Sequence, residues 1–405
     1  MAPSVFQLEC SCNNYPWGRV GKDSLAASLC YQTPNTSFKI EDKPYAEMWM
    51  GDYPVLPAKV LSTGEELHKI VDENKEQLLG ENCIAKFGGV VPFLPKILSI
   101  AKALTLQIHP NKDLAAKLHK ENPEQFTDPN HKPEIAIALG PFELFGGWKP
   151  TSDIQSLFDS LPPLQKYLPD KKSDFNNETL RKIVQIILKS SDESIKTCQR
   201  QLAEIPKEKY GKQSYILGLL PRLQNQYSVE DPGTLVALIT MNFLTLNAGD
   251  AVYIPADAPH AYLSGNIVEC MARSNNILNT GFCPRPDRDN IDIFSAALTF
   301  SPHNADEVML PKKKSGKGRE GKTSVYAPPM SEFDMLVTEL GKGEREVQEK
   351  VGGPSVVFAT SGKGRMRAGG EEFEIRAGFV FFVGQGVEME LVAEDGLVVW
   401  RAYAE

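Results

Sequence analysis

The feature that most constrains this chain is a set of four candidate metal ligands, spread so widely that only a discontinuous domain can bring them together. Gln107 and His109 stand two positions apart in the apolar run 103–109. Strand side chains alternate faces, so both project from the same one. Pro110 and Asn111 end that strand and open a short amphipathic helix through Leu114, Ala115 and Leu118. Glu134 then follows in His131-Lys132-Pro133-Glu134, where a carboxylate enters the apolar run 135–139. The fourth candidate, His260, lies far beyond, in a proline-flanked loop after the turn at Gly249-Asp250. Two imidazoles, one carboxylate and one amide oxygen form a mixed nitrogen and oxygen set that suits a divalent ion such as zinc and leaves room for water or substrate.

Between Glu134 and His260 the texture of the chain changes. Residues 151–228 carry apolar side chains at helical spacing, as in Leu180, Ile183, Val184, Ile187 and Leu188, punctuated by Pro162-Pro163, Pro169, Pro206 and Pro221. On either side the pattern is largely β-like. Short strand-like runs occupy 6–60, and two strands rich in Leu and Ile are expected in 93–106. A helix is expected in 61–88, signalled by Ser62 to Glu65 as a cap and by Leu67, Ile70 and Val71. After the turn at Asp231-Pro232-Gly233 an apolar segment leads back into alternation before His260. Residues 323–405 alternate with Gly-rich turns at sandwich or barrel spacing and contain no histidine. The expected fold class is therefore mainly β with a helical insertion (α+β). The metal-binding unit is formed by 1–150 and 229–310, the insertion by 151–228 and a C-terminal β unit by 311–405.

A length of 405 residues fits two or three domains. The net charge of −8 argues against a general nucleic-acid surface. The one dense basic run, 312–322, is interrupted by Gly and Ser and is expected to be a solvated linker or loop. The N-terminus lacks a basic and apolar leader pattern, and no stretch is apolar enough to span a membrane, so a cytoplasmic protein is expected. Seven scattered cysteines form no disulfide framework and are expected to be reduced.

Four segments carry a family resemblance: PYAEMWMGDYP (44–54), KALTLQIHP (102–110), PNHKPEIAIAL (129–139) and PHAYLSGNIVECMA (259–272). Together they resemble the type I mannose-6-phosphate isomerases, or phosphomannose isomerases, over roughly residues 8 to 300 and in family order. The resemblance implies that Gln107, His109, Glu134 and His260 bind one zinc ion per chain. It also implies a fold of two cupin (jelly-roll) domains plus an α-helical domain, with the C-terminal one lacking a metal. The implied reaction interconverts D-mannose 6-phosphate and D-fructose 6-phosphate through a cis-enediol and feeds GDP-mannose synthesis. The expected partner is the small sugar phosphate, with no nucleic acid or membrane, and the expected state is a monomer.

That reaction needs one proton removed and returned beside a carbonyl, and positive charge facing the enediol oxygens. His131 and Lys132 immediately precede Glu134; the expectation is that His131 opens the pyranose ring and Lys132 transfers the proton or stabilises the enediolate. Glu269 is the alternative base. Trp17 is either a core aromatic or a wall of the site, and Glu47, on the same strand face as Trp49, needs a partner if buried. Lys96 interrupts an apolar run and either snorkels outward or reaches the substrate. Where the family carries an arginine and then a lysine after VECMA, this chain has Asn279 and Arg285. A neutral amide does not replace a guanidinium facing an anion, so Arg273, Arg285 or Arg288 would have to supply that charge. Two rivals follow: a weakened paralogue that binds a sugar phosphate with little turnover, and an iron-dependent cupin oxygenase, since two histidines and a carboxylate also suit iron.

Overall fold

The computed structural model describes residues 4–170, 174–288 and 291–405. Two ten-stranded antiparallel sheets dominate it, with helices packed around the first. The fold class is thus mainly β with helices.

The first sheet is organised by one long strand, His260–Ala272. Its first half pairs with Phe142–Trp148, and its second half with Phe93–Ile100 on one side and Glu134–Ala138 on the other. The change of partner falls at Gly265, whose φ of 131° is closed to most side chains. A Cβ there would come within 2.7 Å of the Pro141 carbonyl oxygen, so the bend requires glycine. Because one strand serves both halves, its register fixes what lies opposite what. His260 faces Gln107 on the short strand Leu106–Ile108, and Met271 faces Glu134.

The second sheet runs from Lys313–Lys314 through Thr323–Tyr326, Asp334–Leu340, Met389–Tyr403, Ser355–Ala368 and Val380–Val383. Hydrogen bonding here cuts across the boundary expected from the sequence. Val5–Glu9 pairs with Val380–Val383 and with Lys59–Val60, so part of the N-terminal segment joins the C-terminal sheet. The two sheets also share a core: Phe93, Ile97, Ile135 and Val268 of the first cluster with Tyr326, Phe333, Phe358 and Trp400 of the second. Period-two alternation cannot reveal which of two sheets a strand joins.

The region 151–228 forms helices at Thr151–Ser160, Asn177–Lys189, Asp192–Ala203 and Ile216–Gln226, among other turns. Asn176 and Ser191 cap two of them, each accepting a hydrogen bond from a backbone N–H in the first turn. Residues 171–173, inside this region, lie outside the described residues. The apolar segment after Asp231 is a helix, Pro232–Thr240, buried along its whole length.

Two local expectations are corrected. The helix expected to start at Ser62–Glu65 begins at Leu67, because the Thr63 hydroxyl accepts from Glu65 N–H in a turn at 3.2 Å. The basic run 312–322 contains the edge strand Lys313–Lys314, and its lysines pair with carboxylates: Lys312 with Glu339 at 2.5 Å, Lys317 with Glu405 at 2.8 Å. Its edge strand ties it to the sheet, so it is no free linker, while the rest of the run is a largely exposed loop. All seven cysteines are free thiols.

Candidate metal centre and adjoining cavity

Gln107, His109, Glu134 and His260 converge, and all four are buried. Nε2 of His109 lies 3.4 Å from one oxygen of Glu134, and Nε2 of His260 lies 3.4 Å from the other. The ligand atoms of these three residues all fall within 4.8 Å of one another. The Gln107 amide is 3.0 Å from Nε2 of His260, and a half-turn of that amide presents its oxygen to the same point.

The tautomers decide what this cluster can bind. Nδ1 of His109 faces the Asn276 carbonyl at 2.9 Å, and Nδ1 of His260 faces the Ala258 carbonyl at 3.2 Å. A carbonyl only accepts, so both Nδ1 atoms carry the proton and both Nε2 atoms offer lone pairs. Burial, reinforced by Lys132, pushes the His109 imidazole down to about 3, which keeps it neutral. Its Nε2 is buried without a hydrogen-bond partner. Lone pairs from two imidazoles therefore face a carboxylate in a buried space, and a cation is the species that satisfies all of them. Tyr262 supports the set by donating from its hydroxyl to Glu134 Oε1 at 2.6 Å.

A cavity of about 390 Å³ opens on this cluster, lined by Gln107 and Glu134 together with Lys96, Lys132, Glu269, Glu47, Trp17 and Asn279. Lys96 and Glu269 face each other across paired strands, with Nζ 3.1 Å from Oε1. The same Nζ is 3.8 Å from Glu47 and 4.9 Å from the Trp49 ring centre. Glu47 also accepts from the Trp49 indole N–H at 2.6 Å, so the partner its burial demands is found. Burial alone would lower Lys96, but Glu269 and Glu47 outweigh it and raise it, so it stays charged and does not snorkel outward. Burial raises Glu269 to about 7, with Glu134 and Glu47 adding and Lys96 opposing. Burial lowers Lys132, partly offset by Glu134, whose oxygen is 4.0 Å from its Nζ.

A second, wider cavity of about 760 Å³ shares Tyr15, Trp17, Thr105 and Asn279 with the first and extends outward past Lys102, Arg285 and Arg288. The cations there differ in their engagement. Arg285 pairs with Asp192 and Arg288 with Asp231, while Arg273 is held by Asp52 away from both cavities. Lys102 has no carboxylate within 4.0 Å among the described residues; its Nζ rests 4.5 Å from the Tyr227 ring centre. Lys102 and Tyr262 stood in sequence only as members of the segments 102–110 and 259–272, with no role attached, and Asn276 gave no signal.

His131 is not brought into the cavity. Its Nε2 contacts Glu332 Oε1 at 2.5 Å, on a loop of the C-terminal β unit. The expectation that it opens the sugar ring has no geometric support, because the turn that points Lys132 inward sends its neighbour outward.

Comparison with known proteins places the arrangement in context. Residues 5–151 match the family described as phosphomannose isomerase type I, catalytic domain. The chain is 34% identical to the mannose-6-phosphate isomerase of Saccharomyces cerevisiae, with 100% of each chain covered. It is 33% identical to that of Aspergillus fumigatus, covering 99% of this chain and 96% of the relative. Among solved structures, a mannose 6-phosphate isomerase bound with zinc and yttrium superposes with a TM-score of 0.83 at 26% identity, over 99% of this chain and 100% of the other.

Proposed function

The chain belongs to the type I phosphomannose isomerase family, and on that premise we propose how its side chains divide the work. It is an aldose–ketose isomerase that interconverts D-mannose 6-phosphate and D-fructose 6-phosphate, and zinc is its metal. Neither the weakened sugar-phosphate binder nor the iron oxygenase is favoured, since the relatives along its whole length carry the isomerase name.

Gln107, His109, Glu134 and His260 would hold the ion. When bound, it supplies positive charge that polarises the substrate oxygens. Glu269 is assigned as the base that carries the hydrogen between carbons 1 and 2. A carboxylate raised to about 7 can both take and return a proton near neutrality, which is what a shuttle on one face of an enediol requires. Lys96 keeps Glu269 in place through their 3.1 Å contact. Lys132, beside Glu134, faces the oxygens on which negative charge develops. This reverses the sequence-based order, in which Lys132 preceded Glu269 as the base.

The phosphate is assigned to the outer cavity. Lys102 is its principal cation, with Arg285 joining by giving up an exposed pair with Asp192, and Asn279 and Trp17 line the passage between the two cavities. Surface pairs of that kind are worth little, so a phosphate displaces the aspartate easily. The catalytic unit is read as 1–150 with 229–310, less Val5–Glu9 and Lys59–Val60, which join the sheet of the β unit 311–405, and it is supported by the insertion 151–228. A cytoplasmic monomer acting without nucleic acid or membrane completes the proposal; among the described residues no helix is long and apolar enough to cross a membrane.

The observation that carries this reading is that Glu269 and Lys132 line the same cavity as Gln107 and Glu134. Hydrogen exchange at carbon 2 of mannose 6-phosphate in deuterated water tests it. Exchange should vanish in Glu269→Gln with zinc retained; persistence there, with loss in Lys132→Ala, would return the base to Lys132.

A further inference from the structure

We propose that Glu332, carried by the C-terminal β unit, is a positioning residue that fixes the entry of Lys132 into the catalytic cavity by anchoring His131. The inference rests on the assignment of Lys132 above. It also gives the C-terminal unit a part in the reaction, although the one candidate metal cluster among the described residues lies in the other unit.

The segment around Lys132 is held at three points. On its N-terminal side the Asn130 carbonyl accepts from the Ser274 hydroxyl at 3.0 Å and from the Asn276 amide at 2.9 Å. On its C-terminal side the Pro133 carbonyl accepts from Ala272 N–H at 3.0 Å, and the Pro133 ring limits rotation there. Between these backbone ties stands the contact of His131 Nε2 with Glu332 Oε1 at 2.5 Å. Lys132 itself pairs with Glu134 at 4.0 Å, its one carboxylate partner within that distance among the described residues. The neighbouring side chain therefore sets the angle at which this long, flexible one enters the cavity.

Glu332 is a firm anchor. Its second oxygen accepts from Ser331 N–H at 3.1 Å. The next residue, Phe333, is buried against Phe93 of the catalytic sheet with ring centres 6.3 Å apart, and Tyr326 donates to the Gly249 carbonyl at 2.7 Å. Burial alone would raise the Glu332 carboxyl, yet His131 and the backbone amides hold it below its usual range. The loop is thus docked on the unit whose lysine it orients. Misplacing a reacting group by about 1 Å costs on the order of 100-fold in rate, so an anchor of this kind affects turnover without touching substrate.

The test is a double-mutant cycle on the zinc-loaded, full-length enzyme with mannose 6-phosphate. Glu332→Ala should lower kcat about 10-fold or more, move KM less than about twofold, and leave zinc content and thermal midpoint near wild type. In the Lys132→Ala background the same change should have no further effect on kcat. Glu332→Gln keeps the side-chain volume and serves if the alanine variant does not fold; a loss of roughly threefold with the same lack of additivity is expected. Unchanged kcat in a folded Glu332 variant, or a loss that adds in full to that of Lys132→Ala, would overturn the proposal. A fully active Lys132→Ala enzyme would instead remove the assignment beneath it, and the proposal with it.

Discussion

The amide nitrogen of Gln107 lies 3.0 Å from Nε2 of His260, across 153 residues of chain. Backbone register makes the contact, because the two residues are direct partners on adjacent antiparallel strands, and Asn279 occupies the opposite flank of Gln107. A metal centre built this way is as rigid as the sheet carrying it, and its geometry depends on strand pairing more than on any loop.

Tyr262 should tune metal affinity without binding metal. Its hydroxyl donates to the Glu134 oxygen that also faces His260. Tyr262→Phe is expected to weaken zinc binding by about 10- to 100-fold, measured by competition with a chelator. Undiminished affinity would show that Glu134 is oriented by its strand alone.

Glu269 gives the pH dependence its sign. Its carboxyl is raised to about 7, and only the unprotonated form acts as a base. The logarithm of kcat/KM should therefore climb with pH and level off near or below 7, because a bound cation draws the carboxyl down. Glu269→Gln should lose about 100- to 10,000-fold in kcat and the acidic limb with it, while zinc stays bound. An unaltered acidic limb in the variant would assign that limb to another group.

Phosphate anchoring separates binding from turnover. Lys102→Ala should raise KM for mannose 6-phosphate about 10-fold with kcat within about twofold, the pattern of lost uniform binding. With Lys102 and Arg285 already at the rim, Asn279→Arg should change kcat/KM by less than about threefold. Steady-state kinetics check both; a large gain in Asn279→Arg would mean that the site lacks a cation.

Asp231, on the wall of the outer cavity, offers a stability test outside the metal cluster. Its buried carboxylate accepts from Gly233 N–H at 2.8 Å and Phe282 N–H at 2.9 Å, and pairs with Arg288 at 3.2 Å. Asp231→Ala leaves Arg288 without its carboxylate partner and uncaps the helix Pro232–Thr240. A loss of about 3 kcal/mol is expected in denaturant unfolding. A loss below about 1 kcal/mol would show that water replaces the carboxylate.

The sequence exposed the candidate metal ligands because their chemistry is written in residue types: paired imidazoles, a carboxylate in an apolar run, an amide two residues before a histidine. The helical insertion was legible from the spacing of Leu180 to Leu188, and the C-terminal β unit from its alternation. What stayed hidden depends on contacts between distant segments. Nothing local in Val5–Glu9 says that its partner is Val380–Val383, and nothing around His131 says that Glu332 waits across the unit boundary. Lys96 and Lys102 look alike as lysines in apolar runs, yet one is buried between two carboxylates and the other stands at a cavity rim beside Tyr227. Tertiary placement, absent from the pattern, decides between them.

The most direct test of the whole account is a zinc titration of the chelated enzyme, with isomerisation of mannose 6-phosphate followed by coupled assay and bound metal measured alongside. Activity should fall with zinc removal and return in proportion to zinc added, saturating at one ion per chain, and His260→Ala should fail to recover at matched zinc. Full turnover in protein stripped of metal, or recovery in His260→Ala equal to wild type, would contradict it.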